Sequence, residues 1–529
     1  MLKRITSLLL CATIIFSLAA CKSNGKDKDI EGEANKKSVT ASLLYSQSDT
    51  FNPYTAKTEI NRQLCGLVFE PLIKLDNEFN ITYRLAKEIT NEDKVWTVRL
   101  IDTVFSDGTP LTAQDVVYSY DLARASATTY ASALYEVATV TATDSKTVVF
   151  ELNRVDNYFE NLLSFPIIKA KSDTVTDSDG VTAPPIGCGR YTVDLTSSLL
   201  LQNKNYFGDK GQIGKIKLID APDRDAVAHY VEIGAADIYY NDASASDIVR
   251  MSGKRTQVNL NNLVYIGINS AYPELKNKYI RYAISAALDR NKICRNAFYN
   301  NALAATGFFN PNFDDAKPYQ TIDPTPNLKI TVENFGKIGY NSQDEEGYLL
   351  NLSGRRVKFT LLVNEENQSR VLAARLISEQ LKAVGIEITV VEKSYSQYIA
   401  ALQSGAFQLY LGEINILNNM DLSGLVTPGG SAAYGVLGST PAASENADTE
   451  EEAQQTTVVA ETSVSSVIKG FYEGADSIGS VVSVLLTEMP QIPICYRQGV
   501  LFYDSEIEGN VTASADDIYL SIEEYSYKN

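Results

Sequence analysis

Cys21 is the residue whose surroundings most clearly specify chemistry. It ends the run Leu18-Ala19-Ala20-Cys21, behind an apolar stretch from Ile5 to Leu18 and the two cations Lys3 and Arg4. A basic start, a short apolar stretch and small residues before a cysteine predict export, with cleavage of residues 1–20 just ahead of the thiol. That thiol would then carry a diacylglycerol. At roughly 0.8 kcal/mol per buried methylene, two acyl chains hold a soluble domain at a membrane surface where one does not. The alternative, an uncleaved spanning helix, needs about 20 apolar residues, and this run is shorter and broken by Cys11, Thr13 and Ser17.

Catalytic chemistry has little to work with. The chain has one histidine, His229, which rules out multi-histidine metal sites and would have to serve any Ser/His/Asp or Cys/His centre. It falls in DRDAVAHYVEIGAAD (223–237), whose spacing predicts a helix that carries it as an ordinary, partly exposed residue. Cys65, Cys188, Cys294 and Cys495 are far apart with no CxxC pair; they read as small buried hydrophobes, with a bridge between two of them left open. The acidic run Glu450, Glu451, Glu452 lies in STPAASENADTEEEAQQTT (439–457) and reads as a solvated loop, not a metal site. No cofactor is implied.

The elements that must position a site belong to a large, exported chain. The roughly 500 residues after Cys21 exceed the ~250–300 at which one core stops growing, so two or three lobes with clefts between them are expected. A formal charge of −18 and the absence of a basic stripe exclude a nucleic-acid partner. Residues 21–38 are charged and aperiodic. They form a tether whose random-coil reach is roughly 20 to 25 Å. VTASLLYS (39–46) is the first strand. VKFTLLVN (357–364), a helix carrying Val371, Ala374, Ile377, Leu381 and Val384 that stops at Gly385, and IEITVV form a β-α-β unit with parallel strands. KYIRYAISAALDRNKI (278–293) has helical spacing too, and Thr112 with Asp115 forms a capping box ahead of Val116, Val117 and Tyr120.

WTVRLIDTVFSDGTPLTAQDVVYSY (96–120) resembles the signature region of the family 5 extracellular solute-binding proteins, the peptide-binding class of ABC importers. Further stretches agree in order: TFNPY (50–54), FEPLIKLDNEFNITYRLAKE (69–88), PPIGCGRYTV (184–193), GAADIYY (234–240), VYIGINSAYPELKNKYIRYAISAALDRNKI (264–293), residues 376–411 and MPQIPICYRQGVLFY (489–503). The signature motif itself has a structural explanation, because Asp107-Gly108 with Pro110 makes a turn ahead of a capped helix. The resemblance implies an α/β fold, a type II periplasmic-binding-protein-like clamp of two lobes with an additional third domain. Lobe I would combine 39–57, 184–262 and 492–529; an accessory domain II would span 58–183; lobe III would span 263–491, with the acidic loop at about 439–457.

In such a clamp the solute lies between lobes I and III, which close over it on a hinge. The residues that the resemblance places at that cleft are Gln47, Asp49, Phe51, Tyr240, Asn241, Tyr265, Glu413, Asn415, Tyr496 and Arg497. Tyrosines supply flat apolar area with a hydroxyl, and amides supply donors and acceptors. Peptide-binding members carry, after a Trp-x-Ala segment, an aspartate for the peptide ammonium. Leu417 stands there in this chain, so Glu413 or Asp421 would have to replace it, or the ligand is different.

The function implied is a lipid-anchored, monomeric receptor on the outer face of the cell membrane. It binds a small solute, a peptide first of all, and passes it to the permease and ATPase subunits of an ABC importer. It is not an enzyme on this view. Two alternatives differ in class: an extracellular hydrolase with paired carboxylates, for which no motif places two acids across a cleft, and a non-peptide or sensory lipoprotein of the same fold.

Overall fold

The computed structural model describes residues 39–176, 180, 182–242, 249–436 and 463–528. The expected signal peptide, Cys21, the tether and the acidic loop at 439–457 lie outside them. Among the described residues no helix is long and apolar enough to cross a membrane.

In chain order the principal elements are β1 (Val39–Tyr45), α1 (Glu59–Val68), β2 (Ala86–Glu92), β3 (Val95–Leu100), α2 (Ala113–Ala125), β4 (Val137–Ala142), β5 (Thr147–Leu152), β6 (Tyr191–Asp194), β7 (Leu199–Gln202), β8 (Ile213–Asp220), α3 (Arg224–Glu232) and β9 (Ile238–Asn241). They continue with β10 (Lys254–Ile268), α4 (Lys278–Ala287), β11 (Ala302–Ala304), β12 (Lys358–Asn364), α5 (Gln368–Lys382), β13 (Glu387–Lys393), β14 (Leu409–Asn415), α6 (Ser463–Tyr472) and β15 (Ile492–Tyr503). Three sheets organise them. The first has the order β1-β8-β7-β6, the second is the antiparallel β2-β3-β5-β4, and the third runs β9-β15-β10-β14-β12-β13 with β11 also on β15.

The β-α-β unit is present: β12 and β13 pair in parallel, joined by α5. Val371, Ala374, Ile377 and Leu381 are the buried side of α5, and Gly385 takes φ +85 beyond its end, a left-handed position that suits a residue without Cβ. α2 begins as expected. The Asp115 carboxylate accepts from Thr112 N (2.9 Å) and Thr112 Oγ1 (2.7 Å), and its other oxygen accepts from Ala170 N. His229 is an exposed residue of α3.

Two large hydrophobic cores result. One draws its residues from 263–496; the other from 41–258 and 501–525, so that segment 58–183 shares a core with the first sheet. The 15-residue β10 and 12-residue β15 belong to both. Leu263 to Ile268 of β10 and Ile492 to Tyr496 of β15 lie in the first core, whereas Val258 and Leu501 lie in the second. Their pairing slips between Asn259 and Leu263, and such an irregularity bends a strand. The strands therefore turn where they pass from one body to the other.

Cys65, Cys188, Cys294 and Cys495 are buried and unbridged. Burial pushes the Cys65 and Cys188 thiols up, the latter to about 12, and a thiolate is the reactive form. Titration with an aromatic disulfide reagent is expected to find none of these thiols reactive in the folded protein and all of them after denaturation. A fast-reacting thiol among them before unfolding would contradict this packing.

Candidate functional site

The parallel strands β12 and β13 end on the same side of the sheet as the end of β14, where ligands bind in open α/β sheets. Glu413, near the end of β14, pairs in register with Val264 of β10, and Asn415 pairs with Asn262. The side chains form a relay. Asn415 Nδ2 donates to Asn262 Oδ1 (2.7 Å), and Asn262 Nδ2 donates to Glu413 Oε1 (3.2 Å). Arg370, in the first turn of α5, brings its Nε to 3.9 Å from Glu413 Oε2. That is an ion pair too long for a hydrogen bond, and the buried Nε has no other hydrogen-bond partner.

The alternate positions of the same two strands carry a buried aromatic pair on the other face of the sheet. Tyr265 and Tyr410 share a hydroxyl contact of 3.2 Å, and the Tyr410 hydroxyl donates to Ala432 O (3.0 Å). Gly412 makes room: a Cβ there would sit 2.7 Å from the Tyr265 ring. Burial raises the Tyr265 phenol above its ordinary value, so both hydroxyls stay neutral and act as hydrogen-bonding groups.

The remaining expected residues are dispersed. Gln47 is exposed, and its backbone N–H donates to Asp220 Oδ1 (2.8 Å). Asp49 clamps its own turn, accepting from Thr58 N (2.7 Å), Thr58 Oγ1 (2.6 Å) and Lys57 N (3.0 Å). Partial burial opposes its charge, but the Thr58 and backbone hydrogen bonds hold its pKa below the usual value. Phe51 is core, next to Tyr45. Tyr240 and Asn241 are buried on β9, with the Tyr240 ring over the Gly499 backbone. The buried Tyr496 hydroxyl donates to Phe308 O (2.6 Å), and Arg497, also buried, stacks on Phe298 at 4.4 Å. The surfaces of Phe51, Tyr265 and Tyr496 are thus spent on interior packing, and Glu413 with Asn415 is the expected pair that the fold joins in one polar cluster.

Beyond Asn415 the chain crosses between the bodies. Ile416, Met420 and Leu422 stay in the first core, while Leu417 packs against the second. Asn418 Nδ2 donates to Asp516 Oδ2 (2.9 Å), Asn418 O accepts from Asn161 Nδ2 (3.0 Å), and Asn419 Nδ2 donates to Asp156 Oδ2 (2.7 Å). Asp421 Oδ2 accepts from Arg154 Nη2 at 2.5 Å. Burial works against the charge on Asp421, yet Arg154 and Ser423 keep its pKa below the ordinary carboxylate range; burial raises that of Asp156 and of Asp516. Tyr158 adds a bond to Asp315 (2.7 Å) and ring contacts to Phe313 and Phe471. A pocket of about 290 Å³ opens beside this seam, lined by Arg154, Thr427, Ser465, Ile468, Tyr472 and their neighbours.

Sequence reasoning missed Arg370, Asn262 and the Arg154 side of the seam. Their partners are far away in the chain, with 267 positions between Arg154 and Asp421, so no local spacing announces them. Among the described residues no group of three or more His, Cys, Asp or Glu side chains is placed to hold a metal ion.

Comparison with known proteins is consistent along the chain. The oligopeptide-binding protein AppA of Bacillus subtilis (strain 168) is 24% identical over 423 residues, 73% of this chain and 76% of that protein. The glutathione-binding protein GsiB of Shigella flexneri is 24% identical over 388 residues, covering 69% and 73%. Among solved structures, a nickel ABC transporter protein from Bacillus halodurans superposes with a TM-score of 0.69 at 19% identity, covering 89% of this chain and 96% of that one. The unliganded open form of the periplasmic murein tripeptide-binding protein MppA gives 0.66 at 17%, covering 89% and 94%. These likenesses establish a type II periplasmic-binding-protein-like α/β fold. The model of bacterial extracellular solute-binding proteins, family 5, middle region, matches residues 80–435, and with that match over most of its length the chain belongs to the family 5 extracellular solute-binding proteins.

Proposed function

We propose that this chain is the monomeric substrate-binding protein of an ABC importer, held by a lipid on Cys21 at the outer face of the cell membrane. It takes a small solute, a peptide first of all, between its two bodies and delivers it to the permease and ATPase subunits. The observation that carries this reading is the Glu413, Asn262, Asn415 and Arg370 cluster, a set of polar groups of both charges at the strand ends beside the seam. Relatives named for oligopeptide and murein tripeptide binding support the peptide class.

Glu413 is the carboxylate best placed to meet a peptide ammonium, because Leu417 is apolar and Asp421 is committed to Arg154. Native mass spectrometry of the purified protein identifies a retained solute, and calorimetry with that verified ligand tests the residue. Glu413→Gln is expected to weaken binding by about 1.5 to 3 kcal/mol, the range for a hydrogen bond to a charged group, while leaving apo stability little changed. Unchanged affinity would retire Glu413 as an anchor, and failure of every free-amine peptide to bind would favour a non-peptide solute. For the anchor, Cys21→Ala is expected to move the protein from the membrane fraction to the soluble one or to leave it unprocessed. Mature wild-type protein with an unlipidated N-terminus ahead of Cys21 would contradict it.

A further inference from the structure

One loop supplies several of the polar contacts between the two bodies. Residues 416–422 leave β14, turn at Met420 with φ +59, and send Leu417, Asn418, Asn419 and Asp421 to the opposite body while Ile416, Met420 and Leu422 stay in their own core. Left-handed backbone is disfavoured at a residue with a side chain. Such a turn persists because the contacts around it hold it. Asp421 with Arg154, Asn419 with Asp156 and Asn418 with Asp516 each involve a group that can carry charge, the strong class of hydrogen bond. Arg154 is itself braced from both sides: Glu136 lies 3.5 Å away on its own body, and the Tyr472 ring of the other body lies 3.9 Å beneath the guanidinium.

We propose that Arg154 and Asp421 are positioning residues that latch loop 416–422 onto the second body, so that closure rests on protein–protein bonds and solute entry waits on their release. This rests on the clamp reading given above. Its consequence is kinetic, since the latch gates how often the cleft is open whatever the solute.

Hydrogen–deuterium exchange on the full processed chain tests it, using Asp421→Asn, Arg154→Gln and the charge-reversed pair Arg154→Asp with Asp421→Arg. Each single substitution is expected to speed exchange about tenfold or more, as loss of a charged hydrogen bond implies, in residues 415–422 and in residues 154–162 together. The reversed pair is expected to restore protection to both. No change in either segment, a change confined to the substituted segment, or no rescue by the reversed pair would each overturn the latch. Failure of the solute-capture reading is separate, because it would appear as no bound solute with these exchange rates unaltered.

Discussion

Glu70→Ala is expected to cost about 3 to 5 kcal/mol of stability, the range for removing one partner from a buried ion pair. Glu70 is 1% exposed. Its carboxylate accepts from Arg84 Nε (3.1 Å), Arg84 Nη2 (3.2 Å) and the Tyr206 hydroxyl (2.7 Å), with Lys74 Nζ at 3.5 Å. Without it Arg84 keeps Tyr206, a stacking contact on Phe207 and the more distant charge of Glu523, while Lys74 retains Asp517 at 2.8 Å. Burial penalises the charge, but Lys74 and Arg84 outweigh it and hold the carboxyl at about 2, against an ordinary 4.5. The folded pKa is depressed, so the stabilisation is fully present above pH 4.5 and is lost as the pH falls from there through 2. Denaturant titrations at neutral pH and near pH 3 check both parts. The gap between wild type and Glu70→Gln should narrow in acid. A Glu70→Ala protein within 1 kcal/mol of wild type at neutral pH would show that the cations find other partners.

Gly267→Ala should be comparably damaging, by about 3 kcal/mol, at the upper end of what forced overpacking costs. A Cβ at Gly267 would lie 1.8 Å from a ring carbon of Tyr410. The ring has nowhere to go: Phe407 at 5.1 Å, Tyr265 at 5.7 Å and Tyr434 at 6.2 Å surround it. Shrinking Tyr410 to leucine in the same chain should relieve much of the penalty, a coupling that a double-mutant cycle measures. Additive effects of the two substitutions would mean that Gly267 matters for another reason.

How much of this was legible in the sequence depends on the range of the interaction that decides each feature. Local rules served where neighbours decide. The spacing of Val371, Ala374, Ile377 and Leu381 and the stop at Gly385 specify α5 within a few residues, and Asp115 caps α2 through bonds to Thr112 three positions away. β10 was not recognisable at its full length, because its first half, KRTQVNLNN, is polar and becomes a strand only by pairing with β15 more than 200 positions later. The site was partly legible for the same reason. Glu413 stands out as a carboxylate at a strand end, but nothing near Arg370 or Asn262 in sequence says that they meet it. Tyrosines were the least readable. Whether a phenol faces a cleft or a buried carbonyl is settled by packing, and Tyr496 donates to Phe308 O, 188 positions away.

The position of β15 in the third sheet bears on how the chain is made. It lies between β9 and β10, in the interior of the sheet, and contributes side chains to both large cores. Yet it spans Ile492–Tyr503 and so emerges from the ribosome after every other strand of its sheet. Neither core can be completed on a growing chain that lacks this strand, although domains generally mature from the N-terminus during synthesis. Placing this keystone strand after all its sheet partners builds a delay into the topology, because the two bodies can close only once it has been made.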